Sequence, residues 1–163
     1  MKEAELTAAL ISSSTASDDR DRRAERIAAS IRRFGGYRWV GVYDVSDDEI
    51  EVVGWDGPAA PTYPRFPRAR GLCGAAVAAG EPVVVGDVTA DPRYLTTHTT
   101  TRSEIVVPVF REGVVVGLID VESERGNAFG EGDRQLLERC AAVILPLWRE
   151  SDPPLHLPTG LPN

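Results

Sequence analysis

The strongest pattern in the chain is a pair of apolar runs, Ile105 to Val109 and Val114 to Ile119, within SEIVVPVFREGVVVGLIDVES (103–123). Val, Ile and Leu occupy both parities of each run, which predicts strands buried on two sides. Arg111-Glu112-Gly113 between them predicts a β-hairpin loop in which Gly supplies the positive φ. With a three-residue loop, Phe110 faces Val114 and Glu104 lands opposite Asp120. Glu122, two residues on, shares their face, because strand side chains alternate. A loop of two or four residues shifts the register by one and separates Glu104 from the other two acids. Three carboxylates placed this close need a cation or a proton among them, unless the strand end is simply solvated.

Elsewhere the periodicity changes from two to 3.6. Glu3 to Ile11 predicts a short helix. Asp18 to Phe34 predicts a longer one, with Ala24, Ile27, Ala28 and Ile31 as its apolar stripe and Gly35-Gly36 as its stop. Its arginines, Arg22, Arg23, Arg26, Arg32 and Arg33, read as a solvated face in preference to an anion site. Tyr37 to Val45 and Glu49 to Trp55 predict a second hairpin. Trp39 and Tyr43 share one of its faces, either as core or as the wall of a pocket. Asp56 to Arg70 holds four prolines, which exclude a helix and a central strand and suit a binding loop or a surface connector. Gly71-Leu72-Cys73-Gly74 opens an Ala-rich helix that ends at Gly80. Cys73, at a helix start, is either a reactive thiol or a small buried residue packed on the sheet. A strand over Pro82 to Val85 leads to a Thr-rich loop reaching Arg102, which includes Thr97 and His98. Glu131 to Glu150 predicts a last amphipathic helix that Pro146 kinks or frays. The division expected is an N-terminal extension over residues 1–17, one domain over 18–150 and a Pro-rich tail over 151–163.

Composition narrows the function. A net charge of −7 argues against a broad nucleic-acid surface, and no apolar run approaches a membrane span. The two cysteines, Cys73 and Cys140, are too few for a disulfide framework, so a cytoplasmic location is the expectation. His98 and His156 stand apart, so no metal site is expected. No phosphate-loop or dinucleotide fingerprint occurs, and no cofactor is expected either.

The motifs WxGxY (Trp39 to Tyr43), GxCG (Gly71 to Gly74), SEIVVP (Ser103 to Pro108) and GxxDxxS (Gly117 to Ser123), in this order, resemble a GAF domain. In particular they resemble its free methionine-(R)-sulfoxide reductase branch. The resemblance covers about 18–150. It implies an α+β fold of the profilin/PAS-like kind, a central six-stranded antiparallel sheet flanked by helices, with a ligand pocket under loops. It also implies a homodimer formed through the terminal helices. Trp39 and Tyr43 match the aromatics around the substrate's sulfoxide end. Glu104, Asp120 and Glu122 match the acids there, with Glu122 in place of an Asp. Cys73 matches one cysteine of the redox set. The loop before SEI departs from the family: it reads YLTTHTTTRSEI against approximately HIACDxxSxSEI, so the attacking cysteine is Thr97, and a further family cysteine corresponds to Tyr63. A Thr hydroxyl has no accessible anion at neutral pH and no sulfenic acid cycle. The expected function is therefore a non-catalytic domain whose acidic and aromatic pocket, with Thr97, takes an amine- or amino-acid-like ligand. The alternatives are a reductase of altered activity using Cys73, and a dimerisation module with a vestigial pocket.

Overall fold

The computed structural model describes residues 1–96 and 98–149. Thr97 and the Pro-rich tail lie outside the described residues. The elements run α1 (Glu3–Thr15), α2 (Arg20–Gly35), β1 (Trp39–Val45), β2 (Glu49–Asp56), β3 (Arg65–Pro67), α3 (Gly71–Ala79), β4 (Val83–Val85), β5 (Ser103–Arg111), β6 (Val114–Ser123) and α4 (Glu131–Val143). The six strands form one antiparallel sheet in the order β3-β2-β1-β6-β5-β4. The fold is the α+β architecture expected, with β1 and β6 at the middle of the sheet and β5 beside β6.

Alternation along the central strands divides the interior in two. Val40, Val42, Ile105, Val107, Ile119 and Val121 face α1, α2 and α4, and pack with Leu6, Leu10, Ile27, Ile31 and Leu137. The α2 stripe read from the sequence, Ala24, Ile27, Ala28 and Ile31, is the buried set of that helix. The other sheet face carries Trp39, Tyr43, Val106 and Leu118 and packs on Leu72, Cys73, Ala76 and Val77 of α3. Strands covered on both faces need apolar residues at both parities, which explains the continuous Val/Ile runs.

The β5–β6 connection differs from the expectation in two places. Arg111 pairs with Val114, so the turn is Glu112-Gly113, two residues and not three. Both have positive φ, 49° and 79°, which is the type I′ geometry that matches strand twist. That change alone moves the register by one. A bulge then moves it by one again, because Val109 pairs with Gly117 whereas Phe110 pairs with Val115, leaving Val116 unpaired. Parity is restored. Glu104 lies opposite Glu122, and Asp120 lies opposite Val106, so the direct Glu104–Asp120 pairing is corrected to a diagonal one. All three acids remain on the α3 face.

A further correction concerns the last helix, and the proline segment adds an edge strand. The last helix stops at Val143, and Leu145–Trp148 continues as a 3₁₀ turn with Pro146 in its first residues. Pro146 has no N–H to give an α-helical ladder, so the chain tightens there. The proline segment contains β3, three residues at the sheet edge, where Pro67 costs no central hydrogen bond.

Candidate functional site

The site is set by three neighbouring strands. Trp39 pairs with Glu122 and Gly41 with Asp120 across β1–β6, and Glu104 with Glu122 across β6–β5. Gly41 explains the spacing of WxGxY. A Cβ there would come within 2.4 Å of the Trp39 ring and 2.8 Å of the Tyr43 ring. Its absence lets both rings fold over the same strand, with their centroids 6.5 Å apart.

Glu104, Asp120 and Glu122 are 3%, 1% and 1% exposed, so the solvated strand end considered from sequence does not apply. Burial pushes all three carboxyls upward. Glu104 and Glu122 rise well above the usual carboxylate range, with Asp120 adding repulsion to both. Asp120 rises to about 6, held back by a side-chain hydrogen bond with Glu104. Protons therefore do much of the neutralising that a cation would otherwise have to do. Glu122 Oε1 accepts a hydrogen bond of 3.0 Å from the Thr101 hydroxyl. Asp120 Oδ1 and Glu122 Oε2 are buried with no hydrogen-bond partner among the described residues.

Cys73 sits under this cluster. Its Sγ and one oxygen each of Glu104 and Asp120 lie within 4.8 Å of one another, and among the described residues this is the group of three whose atoms approach a divalent-cation spacing. The reactive-thiol reading of Cys73 is not supported by its surroundings. Complete burial, and then Asp120, Glu104 and Glu122, push the thiol pKa well above its usual value. These outweigh any help from the start of α3. Cys140 is buried on the opposite face of the sheet, where burial raises its pKa to about 12.

A cleft of about 70 Å³ opens beside Glu122, lined by Arg38, Trp39, Ala59, His98, Thr101 and Glu124 among others. Trp39 anchors it: its indole N–H donates to the Ala59 carbonyl at 3.0 Å, and its ring stacks on Trp55 with centroids 6.5 Å apart. Tyr43, though on the same face, is a core residue beneath the site and not part of the cleft's lining. His98 meets the Trp39 ring edge-on at 5.2 Å and brings Nε2 to 3.9 Å from Glu122 Oε2. Burial, and then the Arg38 guanidinium, lower the His98 pKa. The sequence reading left His98 outside the site. Its only signal was membership of a Thr-rich loop close to the acidic strand end. Thr97 lies outside the described residues, so its expected place in the pocket carries no geometric statement.

The six-stranded antiparallel sheet is covered by helices on one face and by a short helix, loops and a small cleft on the other, and the chain belongs to the GAF domain family, whose model matches residues 19–144. Within it, the chain resembles free methionine-R-sulfoxide reductases. The Neisseria meningitidis enzyme, in complex with its substrate, superposes with a TM-score of 0.77 at 35% identity, over 87% of this chain and 85% of that one. The Escherichia coli (strain K12) enzyme is 29% identical over 121 residues, 74% of this chain and 72% of its own. GAF domain-containing protein A of Dictyostelium discoideum is 30% identical over 119 residues, 72% of this chain and 74% of its own. Among the described residues no helix is long and apolar enough to cross a membrane.

Proposed function

We propose that this GAF domain binds a small amine- or amino-acid-like molecule in the Trp39 cleft, without thiol chemistry. The observation that carries the reading is the pair of orphaned buried carboxyl oxygens, Asp120 Oδ1 and Glu122 Oε2, the latter on the cleft wall. A buried polar atom with no partner costs about 1–3 kcal/mol. A ligand that satisfies it recovers that cost on binding. The cleft lining combines the Trp39 ring with Thr101, Glu122 and Glu124, so it offers a bound group an apolar wall beside polar and acidic partners.

The second reading, a reductase, is favoured by the names of the relatives. Against it stands Cys73, buried and held as a thiol by burial and by three carboxyls. Reduction of a sulfoxide by a thiol starts from a thiolate attacking sulfur, and the resemblance read from the sequence puts Thr97 where the family has its attacking cysteine.

Free methionine and its sulfoxide are expected to raise the melting temperature in proportion to occupancy. Asp120→Asn is expected to weaken that shift, and Arg26→Ala, on the outer face of α2, to leave it intact. Thiol-dependent turnover of free methionine-(R)-sulfoxide is expected to be absent or very slow in the same preparation. Robust turnover abolished by Cys73→Ser would reverse the order of the two readings. No dose-dependent shift with any amino acid or amine would remove the first and favour a module that only pairs subunits.

A further inference from the structure

Cys73, Glu104 and Asp120 come from three elements, α3, β5 and β6, and meet where the sheet packs on α3. They are 5%, 3% and 1% exposed. Cys73 Sγ and one oxygen of each acid lie within 4.8 Å of one another, so a cation among them is no more than about 2.8 Å from each. Bonds of about 2.3 Å to sulfur and about 2.0–2.2 Å to oxygen then need each donor to close in by only about half an ångström. Neither acid has an ion pair among the described residues, so no side-chain cation balances their charge.

A second observation is Asp120 Oδ1. Its carboxyl shares a hydrogen bond with Glu104, yet Oδ1 is buried without a partner among the described residues. Asp120 is not among the residues that line the Trp39 cleft, so a ligand seated against Glu122 leaves that oxygen to something else.

We propose that Cys73, Glu104 and Asp120 form a binding site for one divalent cation of the zinc class, which enters past Glu122 from the cleft. The sequence conceals such a site, because its histidines stand apart and the three donors are far apart in the chain. A thiolate beside two carboxylates selects zinc or cobalt over magnesium or calcium, which prefer oxygen alone. Three protein donors leave a fourth position open, as in zinc sites that hold an exchangeable group. Protons and the cation compete for the same place: on binding, the thiol and any protonated carboxyl release their protons to solvent, and the metal balances the charge left behind. The metal uses Asp120 Oδ1 and leaves Glu122 Oε2 to the cleft, so this site is independent of the ligand-binding reading.

The test is titration of the chelator-stripped full chain with cobalt chloride, followed by absorption. One cobalt per chain is expected, with a thiolate-to-cobalt charge-transfer band in the near ultraviolet that one equivalent of zinc chloride removes. Cys73→Ser is expected to lose the band and to weaken cobalt by at least the roughly hundredfold that even an outer-shell partner can cost. Cys140→Ser, with its thiol on the opposite face of the sheet, is expected to keep both. Glu104→Gln keeps both thiols and is expected to weaken cobalt; it decides the matter if Cys73→Ser fails to fold. Zinc is expected to raise the melting temperature of the wild type, and magnesium at the same concentration to leave it unchanged. No cobalt bound, cobalt bound without the band, a band that survives Cys73→Ser, affinity unchanged in Glu104→Gln, or equal stabilisation by magnesium would each overturn the proposal. A melting shift with methionine in a chain that binds no cobalt would remove this site and leave the ligand-binding reading standing.

Discussion

The melting temperature of this protein is expected to fall as the pH rises from about 4 to about 8, the reverse of a protein stabilised by ion-paired carboxylates. The sign follows from Asp120, Glu104 and Glu122, whose pKa values are all raised by burial. A carboxyl with a raised folded-state pKa binds its proton more tightly in the native chain. Its contribution is complete below the unfolded value and is lost as the pH passes the folded one. For Asp120, moving from 3.8 to about 6, the loss amounts to about 3 kcal/mol and is spread over that window. Glu104 and Glu122 rise further and extend the decline to higher pH. Asp87 and Asp91 are shifted the opposite way, by hydrogen bonds from Thr89 and Arg93, so their contribution is lost only as the pH falls below the ordinary carboxylate range, beneath this window; His98, whose pKa burial lowers, offsets part of the decline. Calorimetric scans across the range test the expectation. Asp120→Asn should flatten the lower part of the profile and Glu122→Gln the upper part. A melting temperature that climbs through this window would show that the cluster is ionised and balanced by a bound cation.

Trp39→Ala is expected to cost about 3–5 kcal/mol of stability and to abolish binding in the cleft. The indole is 1% exposed, stacks on Trp55, receives the His98 ring on its edge and bonds the Ala59 carbonyl. Truncation leaves a cavity, an orphaned carbonyl and a cleft without its wall. The control is Trp148→Ala on the opposite sheet face. That ring packs where Gly117 has no Cβ, donates to Asp44 at 2.7 Å and lies under the Arg20 guanidinium. Its loss should destabilise the fold comparably and leave ligand affinity intact once the protein is folded. Denaturant unfolding paired with calorimetric titration separates the two effects. Equal loss of affinity in both variants would mean that binding tracks global stability and not the cleft.

What could be read from the residues was whatever rests on periodicity. The α2 stripe, the two-sided burial of β5 and β6 and the common face of Asp120 and Glu122 follow from spacing along one element, whereas Glu104 joins that face only because the bulge offsets the shorter turn. The turn was misjudged because type I′ needs two positive φ values, and the first falls on Glu112, a residue that rarely adopts one. A sequence with Asn there would have announced a two-residue loop. The bulge at Val116 left no mark, since another Val in a run of three looks like ordinary strand. His98 was missed for a different reason: its role depends on a loop returning across Trp39, a contact 59 residues apart in the chain that no local pattern encodes. Cys73 shows local logic outweighed by its tertiary setting, because a helix start favours a thiolate only where the surroundings do not exclude charge.

The paired irregularities in the central hairpin have a consequence for how such a chain can change over generations. The two packed faces of β6 distinguish only odd positions from even ones, much as a coding message is sensitive to its frame. A lone insertion or deletion between Phe110 and Gly117 that is not absorbed in the turn would turn Asp120 and Glu122 toward the helices and Ile119 and Val121 toward the cleft. Two such changes together restore the frame. Relatives should therefore differ in this hairpin by compensated pairs, a longer turn accompanying a lost bulge, and the turn can drift in length while the acids keep their place.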